Sequence, residues 1–270
     1  VKPVKLTASS RPKIWGATNL MPWFPNSTEK IGEVWFVSDG ESLPILVKFI
    51  FTSERLSVQV HPDDEYARVH ENSPGKTEMW HILRTEPGAS IAVGLRSEVS
   101  KEELRAAAIS GEIENLLNWV PVSSGDTIFT PAGTIHAIGA GLALCEIQQQ
   151  SDVTYRLYDY GRPRELHLDR AIEVSRPGPH PGKSARTRLS ATEERLAECP
   201  YFVTDRIETR TGFRYQPDPQ RMHLLIVIGG TGTLAGACFR PGEAWMIPAG
   251  AAPFAIEPES ECCFLRTYAP

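Results

Sequence analysis

The sequence has little cysteine, no long apolar run and no block of like charge, and each shortage closes off a class of protein. No stretch approaches the roughly 18 consecutive apolar residues of a membrane span. Val1 to Arg11 lacks the apolar core of a secretory leader, which makes the cytoplasm the simplest location. Cys145, Cys199, Cys238, Cys262 and Cys263 are odd in number, two are adjacent, and none has C-x-x-C spacing. That argues against a disulfide framework or a zinc knuckle and predicts reduced thiols used as small apolar residues. The net charge is −5 and no basic block exists, so neither nucleic acid nor an anionic membrane surface is an expected partner. Phosphate recognition would have to come from a few local cations. A monomer or weak homo-oligomer is expected.

What is present is a turn-rich pattern. The 22 prolines and 21 glycines imply many short strands between turns. Residues 1–30, with Pro12, Trp15, Trp23 and Phe24, read as an irregular segment packed across another surface. Strands are expected over 31–38, closed by Asp39-Gly40, then over 46–51 and 56–61. One or two helical turns should follow the acidic Asp63-Asp64-Glu65. Strand character over 78–83 and 90–95, split by Glu86-Pro87-Gly88, predicts a hairpin. Over about 97–119 the pattern changes. Ser100 followed by Glu103 fits a capping box, and Leu104, Ala107 and Ala108 keep helical spacing up to Gly111.

The chain also repeats itself. Gly125-Asp126-Thr127-Ile128-Phe129-Thr130-Pro131-Ala132-Gly133 lines up without gaps against Gly242-Glu243-Ala244-Trp245-Met246-Ile247-Pro248-Ala249-Gly250. Met79-Trp80-His81-Ile82-Leu83 likewise resembles Arg221-Met222-His223-Leu224-Leu225. The two offsets differ by nearly the length of the helical insert. The fold class expected is therefore mainly all-β, with two copies of one β-module, the first carrying the insert. Residues 1–174 form the first module with its N-terminal extension, 175–198 a linker by composition, and 199–270 a degenerate second module. The N-terminal segment is free to cross to the second module, so these borders are soft.

Candidate chemistry gathers in the first copy. In Leu56-Ser57-Val58-Gln59-Val60-His61 the period of two puts Ser57, Gln59 and His61 on one face and the aliphatic residues on the other. In Gly75-Lys76-Thr77-Glu78-Met79-Trp80, Lys76, Glu78 and Trp80 share a face if the segment is extended. The turn Pro131-Ala132-Gly133 delivers His136 onto a following strand. Two imidazoles, a carboxylate and an amide oxygen suit Zn²⁺, with Fe²⁺, Mn²⁺ and Co²⁺ as weaker fits. In the second copy Pro253 takes the place of His136 and Gln220 that of Glu78, so the same metal could not be held there. From Glu146 to Arg156 every even position is polar: Glu146, Gln148, Gln150, Asp152, Thr154 and Arg156. If extended throughout, that face would line a wet cavity. His70, His167 and His180 read as solvated, and His81 and His223 as packing residues.

These segments, together with Ile31-Gly32-Glu33-Val34-Trp35 and Ser151-Asp152-Val153-Thr154-Tyr155-Arg156, resemble the type I mannose-6-phosphate isomerases of the cupin superfamily. The similarity runs well over residues 10 to 170 and loosely over the rest. It implies two cupin-type jelly-roll barrels and one Zn²⁺ per chain bound by Gln59, His61, Glu78 and His136. The chain is short, like the compact bacterial members, which leaves the fourth ligand as Gln59 or a water. The resemblance further implies that Arg156 is the active-site arginine, that Lys76 contacts substrate or phosphate, and that Asp152 takes part in proton transfer. Ser57 is a weaker phosphate candidate, equally readable as a structural hydroxyl. The implied reaction interconverts mannose 6-phosphate and fructose 6-phosphate through a cis-enediol. Asp152, Lys76 and a water on the metal all stay open as the group that removes the proton. Two rivals use the same pocket: a metal-dependent cupin oxygenase, and a non-catalytic sugar-phosphate sensor.

Overall fold

The computed structural model describes residues 2–38, 40 and 42–270. Four antiparallel sheets stack in layers. A five-stranded sheet runs in the order Tyr155–Tyr158, Val58–Val60, His136–Ile138, Ser90–Leu95, Leu117–Pro121. It faces a six-stranded sheet in the order Thr7–Ala17, Ile31–Val37, Ile45–Thr52, Leu142–Gln149, Glu78–Thr85, Thr127–Thr130. Behind that lies a seven-stranded sheet, from Val4–Lys5 at one edge to Thr187–Arg188 at the other, and then a four-stranded one. This is the mainly all-β architecture expected.

Side-chain alternation explains the layering. Ile45–Thr52 and Leu142–Gln149 are buried along their whole length. Their odd-numbered residues, among them Phe49, Phe51, Cys145 and Ile147, enter a core shared with Leu224, Ile226 and Leu265 of the seven-stranded sheet. Their even-numbered Ile50 and Leu144 point the other way, into the first barrel with Trp80, Ile91 and Ile138. A strand buried on both faces reads as a continuous apolar run, so the charges on it stand out. The helix Lys101–Ser110 carries the expected capping box and ends at left-handed Gly111 (φ 85°). With Ile113–Leu116 and Leu168–Val174, it packs on the outer face of the five-stranded sheet through Leu104, Ile113 and Ile172.

Several expectations need correction. Residues 7–17 form an eleven-residue strand; Pro12 is tolerated because the strand lies at the sheet edge and the register shifts there. Glu86-Pro87-Gly88 does not close a hairpin, because Glu78–Thr85 and Ser90–Leu95 belong to facing sheets and the turn carries the chain across the barrel. The strand expected over 56–61 is regular only at Val58–Val60, and Leu56 packs inside the barrel. The insert's last residues, 117–119, are strand. The strand begun at Ile31 ends at Val37, and Asp39 lies outside the described residues.

The segment 175–198 is not a bare connector. Its first part is tied to the first barrel by Leu95 N→Gly178 O (2.8 Å) and Ser184 N→Thr127 O (2.8 Å), and Glu193–Glu198 is a strand of the seven-stranded sheet. Its polar composition misleads because that strand is half-buried. At the other end Val4 pairs with Met246, so the N-terminus crosses to the C-terminal sheet. The repeated turn keeps its geometry: Thr134 N→Pro131 O and Ala251 N→Pro248 O correspond, and Gly133 (φ 87°) and Gly250 (φ 66°) are both left-handed. Strand register corrects one equivalence. Thr130 pairs with Glu78, whereas its counterpart Ile247 pairs with His223, so His223 and not Gln220 stands where Glu78 stands.

Candidate metal centre and active site

Three segments converge at the polar end of the first barrel. His61 follows the strand Val58–Val60, Glu78 opens the strand Glu78–Thr85, and His136 opens His136–Ile138. The Pro131–Gly133 turn is locked to the first of these by Gly133 N→His61 O (2.8 Å). Left-handed Gly133 permits that turn, since a side chain there would be strained. Gly75 has an added reason: a Cβ would lie 2.5 Å from Asp63 C. The close approach lets Lys76 N bond Pro62 O (3.0 Å) and brings Lys76 over the cluster.

One ligand atom from each of His61, Glu78 and His136 lies within 4.8 Å of the others. His61 Nε2 is 3.5 Å from Glu78 Oε2, and His136 Nε2 is 3.4 Å from Glu78 Oε1. The tautomers follow from the partners. His61 Nδ1 bonds Val153 O and His136 Nδ1 bonds Thr134 O, both at 2.9 Å. A carbonyl can only accept, so each Nδ1 carries the proton and each Nε2 offers a lone pair. His136 Nε2 and Glu78 Oε2 are buried with no hydrogen-bond partner. Orphaned atoms this deep fit a cation, and a ligand imidazole that donates its other N–H to a carbonyl is the usual support. Burial, joined by the Lys76 charge, pushes His61 down to about 3 and holds it neutral. Burial likewise lowers His136. Burial opposes the Glu78 charge, but the Lys76 ammonium outweighs it and keeps the carboxylate well below the usual range. The set is two neutral imidazoles and an anion, ready for a divalent ion.

Above the triad lies a polar cavity of about 230 Å³. All the other expected site residues line it: Ser57, Gln59, Lys76, Asp152 and Arg156. Gln59 stands directly beside His136 in the sheet on one side and beside Arg156 on the other. Lys76 Nζ reaches His61 Nε2 at 3.0 Å and lies 3.0 Å from Glu78 Oε2, an ion pair without hydrogen-bond geometry. The segment 146–156 is not one extended strand. It leaves the six-stranded sheet at Gln149 and joins the five-stranded sheet at Tyr155. Gln150 is exposed at that crossing, and Asp152 sits exposed at the cavity mouth.

Sequence reasoning missed the partners that make this a charged site. Lys48 is 2% exposed, 3.3 Å from Glu146 and 3.4 Å from Asp152, and its Nζ lies 4.5 Å from the Trp35 ring centre. Trp80 Nε1 donates to Glu146 Oε2 (3.0 Å). Burial and the Glu78 charge raise Glu146, against Lys76 and Lys48. The signal was available, because Lys48 is the lone charge in Ile45–Thr52 and such a charge must be paired. Arg164 also lines the cavity. His167, expected in solvent, is half-buried and accepts from Arg156 N (3.2 Å). His81 is buried against Thr127, as a packing residue should be. The five cysteines are free. No described helix is long and apolar enough to cross a membrane.

No family model matches the chain. Over 239 residues it is 38% identical to the mannose-6-phosphate isomerase of Bacillus subtilis (strain 168), an alignment covering 83% of this chain and 75% of the relative. It is 33% identical to the mannose-6-phosphate isomerase of Streptococcus mutans, covering 92% of each. The crystal structure of the mannose 6-phosphate isomerase from Bacillus subtilis superposes with a TM-score of 0.88 at 28% identity, covering 99% of both chains.

Proposed function

Because the chain belongs to the type I mannose-6-phosphate isomerase family, we propose that it interconverts mannose 6-phosphate and fructose 6-phosphate through a cis-enediol, with one Zn²⁺ per chain. His61, Glu78 and His136 would hold the ion, with Gln59 as the fourth ligand or that position left to water. The observation that carries this reading is the buried His–Glu–His triad with its orphaned ligand atoms, set beneath a cavity lined by cations. When bound, the metal supplies Lewis-acid polarisation of the sugar's oxygens.

The remaining tasks fall to the chain. Moving a proton between carbon 1 and carbon 2 needs a base that is neutralised and regenerated near pH 7. Glu146 meets that need better than exposed Asp152, because burial raises it while Trp80 and Lys48 orient it. Lys76 and Lys48 place two ammonium groups where negative charge develops on the enediol oxygens. Arg156, held by Nη1 donating to Glu165 O (2.7 Å), offers its remaining donors to the phosphorylated end. Anchoring that remote group holds the reacting carbons in place.

The test is a coupled assay for fructose 6-phosphate, run with and without a chelator, alongside metal analysis of the purified protein. Turnover that chelation abolishes and Zn²⁺ restores supports the reading, as does a large loss in Arg156→Ala. Tight ligand binding without turnover would move the protein to the sensor class, and oxygen consumption to the oxygenases.

A further inference from the structure

The cations of the cavity fall into two groups. Lys13, Lys48 and Lys76 each lie within 4 Å of a carboxylate of the site: Glu33 (3.8 Å), Glu146 (3.3 Å) and Glu78 (3.0 Å) respectively. The two arginines of the lining, Arg156 and Arg164, have no carboxylate partner within that lining. The surplus positive charge of the lining is therefore carried by its two arginines.

Arg164 is built into that lining with care. The chain reverses after Tyr155–Tyr158 through two left-handed residues, Tyr160 (φ 53°) and Gly161 (φ 77°). A tyrosine in that conformation is strained and persists only where the surroundings enforce it. The reversal folds Arg162 and Arg164 back onto Asp159, which is 2% exposed. Arg164 grips it through Nε→Oδ2 and Nη2→Oδ1, both 2.6 Å, while Arg162 takes Oδ1 as well (Nη2, 2.6 Å). Asp159 thus engages one edge of the Arg164 guanidinium and leaves both Nη1 protons and one Nη2 proton for a ligand. Arg162 also lies 3.9 Å from Glu54, so Asp159 is shared between two guanidinium groups and leaves part of the Arg164 charge uncompensated beside Arg156.

Resting on the isomerase reading, we propose that Arg164, fixed by the positioning residue Asp159, binds the substrate's phosphate together with Arg156 and sets the preference for phosphorylated over free sugars. Two preorganised guanidinium forks match a phosphate's oxygens, and a free hexose has nothing to offer them.

Arg164→Met keeps length and removes the charge. It should raise KM for mannose 6-phosphate about tenfold or more, the usual weight of a hydrogen bond to a charged group. Turnover number should change far less, and kcat/KM for unphosphorylated mannose should stay within about twofold because no phosphate contact is lost. Competitive inhibition by inorganic phosphate should weaken in parallel, and Arg164→Lys should recover part of the loss. Asp159→Asn should reproduce the KM effect in milder form. Equal losses on both sugars, or unchanged phosphate inhibition, would overturn the proposal. If the variants fail to fold, phenylglyoxal labelling of the wild-type protein with peptide mass readout decides it. Inorganic phosphate should shield Arg164 and mannose should not; labelling indifferent to phosphate refutes the assignment. A wild-type protein without isomerase turnover would defeat the parent reading instead, and the phosphate-shielding result would still stand or fall by itself.

Discussion

Removing Lys48 is the sharpest probe of the site's energetics. Its Nζ lies 3.3 Å from Glu146, and both side chains are under 5% exposed. Two unit charges at that separation interact by about 5 kcal/mol at an effective dielectric constant near 20. The exposed pair Lys30–Glu54 provides the contrast, since both side chains are over 40% exposed although the groups are closer. Solvent-screened pairs of that kind are worth ~0.5 kcal/mol. Lys48→Met removes the ammonium paired with buried Glu146 and leaves it the Trp80 N–H and the Lys76 charge, and should cost about 3 kcal/mol of unfolding free energy in urea at pH 7. Lys30→Met should cost ~0.5 kcal/mol or less. The double variant Lys48→Met/Glu146→Gln should recover part of the loss, giving a coupling of about 1–3 kcal/mol. Lys48→Met alone should move the acid limb of the kcat/KM profile upward, because a carboxyl that loses a cation holds its proton longer. Equal destabilisation in single and double variants, with an unmoved acid limb, would show that Lys48 neither pairs with Glu146 nor tunes it.

Three further outcomes follow from the geometry. Glu78→Gln should remove bound metal, read as metal-to-protein ratio by elemental analysis, and lower the melting temperature relative to the metal-loaded parent, since binding to the native state alone stabilises it. His81, away from the triad, is pushed down to about 3 by burial and by Arg206 and Arg186. Its folded-state value lies below its unfolded one, so the stability it supports is present above about pH 6.5 and declines as pH falls towards 3; His81→Gln should lessen the loss between pH 7 and 5 by about 2 kcal/mol in denaturant titrations. Gly139→Ala would set a Cβ 2.2 Å from Ser90 O, against backbone that cannot swing aside, and should lower stability by about 1–3 kcal/mol in the same titration.

The convergence of His61, Glu78 and His136 was readable because its signals are local. His61 and Glu78 stand at strand ends, and Pro131-Ala132-Gly133 announces the turn that delivers His136. Alternation also separated Trp80 from His81 correctly. The failures are tertiary. The spacing of Glu86-Pro87-Gly88 says that the chain turns, yet not whether the next strand pairs with the last or crosses to the opposite sheet. The polar run from Glu146 to Arg156 kept its period on paper while its middle left one sheet for another, which took Gln150 out to solvent. Pro12 suggested irregularity because sequence does not reveal that its strand lies at an edge. Asp159 was invisible for the same reason, since its value depends on two arginines folding back onto it.

The layer of Phe49, Phe51, Leu224, Ile226 and Leu265 ties the first barrel to a sheet that holds none of His61, Glu78 and His136. Strands bearing Lys48 and Glu146 on one side rest on that layer with the other, so their spacing is set partly by residues that never meet substrate. Heat-sensitive substitutions should therefore collect in the strands of that seven-stranded sheet. A shortened Leu224 or Leu265 would slacken the mounting of the machinery before it unfolded the whole, and activity would fade on warming with every ligand residue still intact.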